Sequence, residues 1–241
     1  MHNWPYSGRM LAMTEIQNID EKAKDLRVSG AHYGFSKSRR HPSMKDFIET
    51  NQGENDIIDI QKTISQIKEA TDFLKALAEK NKAILFVGTK AEAKRVVEEN
   101  ASSRNLPYVS SRWVPGTLTN WTEVKKRVKK LEDNLEQKNS GEINKYTKKE
   151  RLMIDKENEK LERDFTGLRN MNGMPDAVVI IDPRNENVAV DEAVNMNIPV
   201  IALANTDCDI SKITYPIVAN DASLRTIEKV VKELANAASN S

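Results

Sequence analysis

The chain has 241 residues, 37 Lys plus Arg against 36 Asp plus Glu, and a net charge of +1. With 39% hydrophobic residues, a mean hydropathy of −0.61 and only 9 Gly and 8 Pro, it has the composition of a globular protein and not of a disordered one. Its one cysteine, Cys208, excludes a disulfide scaffold, and no apolar run approaches the roughly 20 residues of a bilayer-spanning helix.

The first twelve residues carry Trp4, Pro5 and Gly8 and lack the apolar core and small-residue cleavage site of a signal peptide. Met13 is a second candidate start, and a reducing cytoplasm is the expected compartment. Residues 14–27 are expected to form a short helix capped by Thr14. A tight segment follows, Gly30-Ala31-His32-Tyr33-Gly34, and leads into a Ser/Lys/Arg-rich stretch ending at Pro42. Beside that proline the chain is expected to be extended at Arg39 and Arg40. Ile57-Ile58-Asp59 reads as a short strand, and Gln61–Glu79 as a helix with Ile64, Ile67, Phe73, Leu74 and Leu77 at helical spacing.

Ala83–Val87 is continuously apolar and ends in Gly88-Thr89, the pattern of a strand covered on both faces. Thr89 is the expected cap of a helix over Lys90–Ser102, and Pro107–Val109 reads as another strand. After a long interruption the alternation resumes. Strands are predicted over Ala177–Ile181, Pro199–Ala204 and Tyr215–Val218, with helices over Asn187–Met196 and Ser223–Ala237. Strands alternating with helices predict an α/β fold, a parallel sheet with helices on both faces.

The interruption has its own period. Trp121, Val124, Val128, Leu131 and Leu135 step by 3 and 4, a heptad seam. Beyond Asn139-Ser140-Gly141 the series Thr147, Arg151, Ile154, Asn158, Leu161, Phe165 and Leu168 repeats the alternation. Two seams predict an inserted antiparallel coiled-coil helical hairpin, its first arm about 27 Å long at 1.5 Å per residue. The seam is expected to supply its own packing, so that residues 121–168 form a separable arm. The chain then divides into an N-terminal extension with a short helix (1–27), a body (28–120 and 169–241) and the hairpin (121–168).

Charge is unevenly placed. Lys22–Lys45 is net +6 and Trp121–Arg151 net +4, which leaves the rest of the chain at net −9. Two basic stretches on an acidic body are the footprint of a protein that lays particular faces on a polyanion. Lys125, Lys126, Arg127, Lys129 and Lys130 lie on the outward face of the first arm; they meet either a partner or the glutamates of the second arm.

Catalytic signatures are missing. Gly88-Thr89-Lys90 lacks the phosphate-loop spacing, and no G-x-G-x-x-G follows a strand. The histidines His2, His32 and His41 share no ligand spacing with Cys208, so neither metal nor cofactor is expected. An acid at a strand end, such as Asp182, serves as a base or as a turn cap, and Asp207-Cys208-Asp209 reads as a polar loop more readily than as a cation site.

Several strings resemble one family. Gly30–Gly34 with Arg39, Pro42 and Met44, then Ile84–Lys90, then Arg112-Trp113-Val114-Pro115-Gly116-Thr117-Leu118-Thr119-Asn120-Trp121, are similar in order to segments of the ribosomal protein S-two family. So are Pro175–Pro183, Ile198–Val200, Asn205–Asp209, Tyr215–Ile217, Asn220–Ala222 and Arg225–Ile227. The resemblance covers about Val28 to Lys232. Phe35 and Arg40 depart from it, standing where bacterial members usually have His and an aromatic residue.

The resemblance implies a three-layer, flavodoxin-like or Rossmann-like body with a protruding hairpin. It implies a structural protein of the small ribosomal subunit that binds small-subunit rRNA and neighbouring small-subunit proteins, in many bacteria including the large RNA-binding protein S-one, with no membrane and no catalysis. Lys37, Arg39, Arg40, Arg112, Thr117, Asn120, Lys125, Lys126 and Lys129 are the expected RNA-facing residues. The competing reading is a small-molecule enzyme on a doubly wound sheet, with a site beyond the strand ends at Gly88, Asp182 and Asp207.

Overall fold

The computed structural model describes residues 19–140 and 145–239. The expected cap at Thr14 and the turn at Gly141 lie outside them. Residues 19–29 are helical (α1). The chain then makes β1 (Tyr33–Ser36), β2 (Ile48–Gln52) and β3 (Asn55–Ile58), which pair antiparallel in the order β1-β3-β2. Only the third of these was legible in the sequence. β1 is only four residues long and β2 is polar after Ile48, so no sustained alternating apolar pattern marks them.

The body is a second sheet of five parallel strands, β4 (Ile84–Val87), β5 (Tyr108–Val109), β6 (Ala177–Ile181), β7 (Val200–Ala204) and β8 (Tyr215–Val218), in the order β5-β4-β6-β7-β8. Between them run α2 (Ile60–Ala78), α3 (Ala91–Ser102), α4 (Trp121–Asn139), α5 (Lys148–Phe165), α6 (Asn187–Asn195) and α7 (Leu224–Ala238).

Because successive side chains of a strand point to opposite faces, each apolar run serves two cores. Ile84, Phe86, Ala177, Val179, Ile181, Ile201 and Leu203 pack on one side against α1, α2, α3 and α7. Leu85, Val87, Val178, Ile180, Val200 and Ala202 pack on the other against α6, the Trp113–Leu118 loop and the first turns of α4 with the last turns of α5. That is why these strands read as unbroken apolar stretches. Each large apolar side chain so buried contributes on the order of 1.5–3 kcal/mol.

α4 and α5 lie side by side. Val124, Val128 and Leu131 of α4 and Leu161 and Phe165 of α5 are buried in the sheet's second core, so the root of this pair packs into the body. Farther out the contacts turn polar. Asn134 Nδ2 donates to Asn158 Oδ1 at 2.6 Å, Lys138 meets Asp155 at 3.5 Å, and Lys130 pairs with Glu157. Thr147 and Glu150 form a capping box that starts α5. Thr89 does not cap α3: Lys90 precedes the helix, and the Thr89 hydroxyl donates elsewhere.

Candidate nucleic-acid interface

The carboxyl ends of the parallel strands share one edge. The loops leaving β5, β6 and β7 carry Arg112, Arg184 and Asp207 along it, and the antiparallel sheet with the following turns docks against its β7 end. The docking runs through Thr206. Its hydroxyl accepts from the Phe35 N–H at 2.9 Å, and its carbonyl accepts from the His41 N–H at 2.8 Å. Gly34 permits this approach: a Cβ there would stand 2.6 Å from Thr206 Cγ2.

Between these anchors the basic stretch is not uniformly extended. Lys37–Arg39 make a 3-10 turn, Arg40 and His41 are extended, and Pro42–Phe47 make a second 3-10 turn, with the fixed φ of Pro42 at its start. The extended conformation predicted from Pro42 therefore reaches back to Arg40 and not to Arg39.

The expected RNA-facing residues separate into two groups. Lys37, Arg39, Arg112, Asn120, Lys125, Lys126 and Lys129 are exposed. Among them Lys126 meets Glu123 of its own helix at 2.6 Å and Arg39 reaches Asp207 at 3.0 Å. Lys37, Arg112, Lys125 and Lys129, with Arg127, make no side-chain ion pair among the described residues.

Thr117 and Arg40 are turned inward. Thr117 is buried and its hydroxyl donates to the Val114 carbonyl at 2.6 Å, closing a turn. The Arg40 guanidinium makes a two-pronged pair with the fully buried Asp56 (Nε to Oδ2 2.7 Å) and donates to Asn51 Oδ1 at 3.0 Å. Their residue types resemble RNA contacts, but their donors serve the fold.

The loop that carries Arg112 is held by Glu192, which the sequence reading missed. This carboxylate is buried beneath the loop. Oε1 accepts from Trp113 Nε1 (3.1 Å) and the Gly116 N–H (2.7 Å), and Oε2 from the N–H groups of Leu118 (3.0 Å) and Thr119 (3.2 Å). Burial pushes the carboxyl's pKa up, but these donors outweigh it and hold the group below the usual glutamate range. The available signal was a lone Glu on the apolar face of α6, between Ala189 and Ala193.

The crevice between β4 and β6, where strand order reverses and doubly wound enzymes place ligands, is filled from within. Lys90 Nζ lies 3.1 Å from Asp182 Oδ2 and 3.3 Å from Asp221 Oδ2. Asp182 has a left-handed backbone (φ 63°), and Asn205 Nδ2 donates to Asp221 Oδ1 at 3.0 Å. The Thr89 N–H and hydroxyl, placed where a phosphate would seek donors, both donate to buried Glu186, at 3.1 and 2.5 Å. Asp182, Cys208 and Asp221 bring three ligand atoms within 4.8 Å, but Lys90 already supplies the cation there. Burial, then the charges of Asp182, Asp207 and Asp221, push the Cys208 thiol up to about 12, so it stands as the neutral thiol at neutral pH and not as a thiolate nucleophile.

The ribosomal protein S2 family matches residues 26–241 of this chain. The small ribosomal subunit protein uS2 of a Nitratiruptor species is 42% identical over 214 residues, 89% of this chain and 80% of that protein. That of Acidothermus cellulolyticus is 40% identical over 215 residues, 89% of this chain and 78% of the relative. That of Karelsulcia muelleri is 41% identical over 207 residues, 86% of this chain and 93% of the relative.

Proposed function

The chain belongs to the ribosomal protein S2 family and so is a structural protein of the small ribosomal subunit in the cytoplasm, not an enzyme; from that premise we propose that it holds small-subunit rRNA along the carboxyl edge of its parallel sheet and the adjoining root of α4. The observation that carries this is a set of exposed cations, Lys37, Arg112, Lys125, Arg127 and Lys129, without an ionic partner among the described residues. Unpaired cations on rigid elements neutralise backbone phosphates without first breaking an internal pair. Asn120, at the mouth of α4, adds a neutral donor and acceptor.

α4 and α5 form the two arms of an antiparallel coiled-coil hairpin over residues 121–168, inserted between body segments 28–120 and 169–241. The seam side chains and the Asn134–Asn158 bond support this reading. Its outer surface is a platform for neighbouring small-subunit proteins, and the large RNA-binding protein S-one is a candidate among the partners.

The test is reconstitution. Small subunits stripped of this protein are mixed with the purified chain and sedimented. Stoichiometric co-sedimentation that weakens steeply with salt is the expected result. A chain that stays in the soluble fraction at low salt, while folded, would remove the reading.

A further inference from the structure

We infer that Arg184, which no motif singled out, forms with Arg39 a two-guanidinium grip for one phosphate of the RNA backbone, set in place by Asp207. This rests on the rRNA-binding reading above and names a site within it.

Asp207 lies almost beneath the surface, its side chain only 6% exposed. Its Oδ2 accepts from Arg39 Nη2 at 3.0 Å and from Arg184 Nη1 at 2.5 Å. The two arginines are 51% and 58% exposed and come from the first 3-10 turn and from the loop after β6. Among the described residues this is the one place where two arginines converge on a single carboxylate. A guanidinium carries five N–H donors in a planar fork. Each arginine uses one donor on Asp207, so the others remain for an outside acceptor. Arg40 shows the contrast, with its Nε and Nη2 donors engaged by Asp56 and Asn51.

Charge and rigidity both suit a phosphate. Asp207 cancels one of two positive charges and leaves a net +1 in a fixed place. Arg39 is braced by the Phe35 ring, 4.2 Å below its guanidinium carbon. Asp207 itself is fixed in the loop whose Thr206 docks the basic segment. Arg184 and Asp207 border a cleft of about 300 Å³ that is also lined by His41, Asn187 and Lys212. Of the other acids at its rim, Asp191 is paired with Lys212 at 2.7 Å, and Asp209 accepts from the Ser211 N–H at 2.9 Å. Arg184 brings its unused guanidinium donors to this cleft. Guanidiniums already held by a carboxylate lose little side-chain freedom on binding, so the grip is preorganised.

The experiment measures docking of the full-length chain on small subunits stripped of it, against salt concentration, with thermal melts to confirm folding. Three proteins are compared: unchanged, Arg184→Ala and Asp207→Asn. Arg184→Ala is expected to weaken docking about five- to tenfold near physiological salt and to lower the salt slope by about one phosphate contact. Asp207→Asn adds a net positive charge but releases both guanidiniums, so the expectation is weaker docking in spite of the extra charge.

Unchanged affinity and slope in folded Arg184→Ala would overturn the inference and leave the rRNA reading standing. Weakened docking with an unchanged slope would assign Arg184 to a protein neighbour and equally overturn it. Tighter docking by Asp207→Asn would show that bulk charge, not the braced pair, governs this edge. If the unchanged protein fails to dock at all, the broader reading falls first.

Discussion

At the scale of single residues, the side chains that resemble ligand-binding groups divide by where their hydrogen bonds go. Arg40 and Arg39 are neighbours, yet one is bound to a buried carboxylate and the other leaves donors in solvent. Arg40→Ala strands Asp56 as a buried charge, and the expected cost is about 3 kcal/mol of stability, read by urea unfolding. Arg39→Ala is expected to leave the unfolding midpoint nearly unchanged and to weaken docking on the subunit. A double substitution would confuse the two effects, so the single variants are the informative ones.

Glu192 makes a prediction of its own. Its folded pKa is depressed, so its contribution is complete above the ordinary glutamate pKa and is lost as pH falls through the lower folded value. Glu192→Gln is expected to destabilise by about 2–4 kcal/mol at neutral pH, and the difference from the parent should shrink on acidification toward pH 3. A constant difference across that range would mean that the carboxylate charge is not what holds the loop. Asp221 works in the opposite direction. Burial, then the Asp182 charge, push its carboxyl up to about 6 in spite of Lys90. The unfolded chain releases that proton first, so this group lowers stability as pH rises from about 4 to about 6.

At the scale of elements, the long helices are joined to the body more firmly than their heptads suggest. Seam residues Val124, Val128, Leu131, Leu161 and Phe165 share a core with Leu85, Val87, Val178 and Ile180. Cutting at Glu123 and Phe165 removes that core and is expected to unfold the body. Replacing only residues 135–154 with a short Gly/Ser linker keeps the buried layer. It is expected to leave one cooperative thermal transition, lowered by a few degrees. Loss of cooperativity in the shorter deletion would mean that the outer turns also support the sheet.

The return from α5 adds a second constraint. A Cβ on Gly167 would lie 2.2 Å from the Tyr108 carbonyl oxygen, so the chain passes directly over the edge strand β5. Gly167→Ala is expected to cost about 2–3 kcal/mol in the same urea experiment, since a backbone atom and not a flexible side-chain end is in the way.

At the scale of the whole molecule, a net charge of +1 hides a polar arrangement. Segments 22–45 and 121–151 carry net +6 and +4, while the rest of the chain is net −9. Affinity for a polyanion follows the local field and not the total. Replacing Lys125, Arg127 and Lys129 together with Ala is expected to reduce the salt slope of docking by about two to three contacts and to leave the melting temperature within a few degrees. An unchanged slope would move the RNA to the far side of the protein.

The sequence by itself determined the architecture of the body. Buried parallel strands must be apolar on both faces, so β4, β6 and β7 were visible as unbroken runs, and the helical period and the heptad seams marked the elements between them. It also brought the family into view, because motif order survives where individual residues vary. The tertiary structure alone decided which polar groups face outward. Arg40, Thr117 and Glu192 look like surface residues in one dimension. Thr117 closes a local turn on Val114, but the partners of Arg40 and Glu192, Asp56 and the Trp113–Thr119 loop, are defined only when strands and loops close on one another. The convergence of Arg39 and Arg184 on Asp207 had no local signal at all, since its three residues lie in separate segments and meet only because β6 and β7 end together at one edge and the antiparallel sheet docks there.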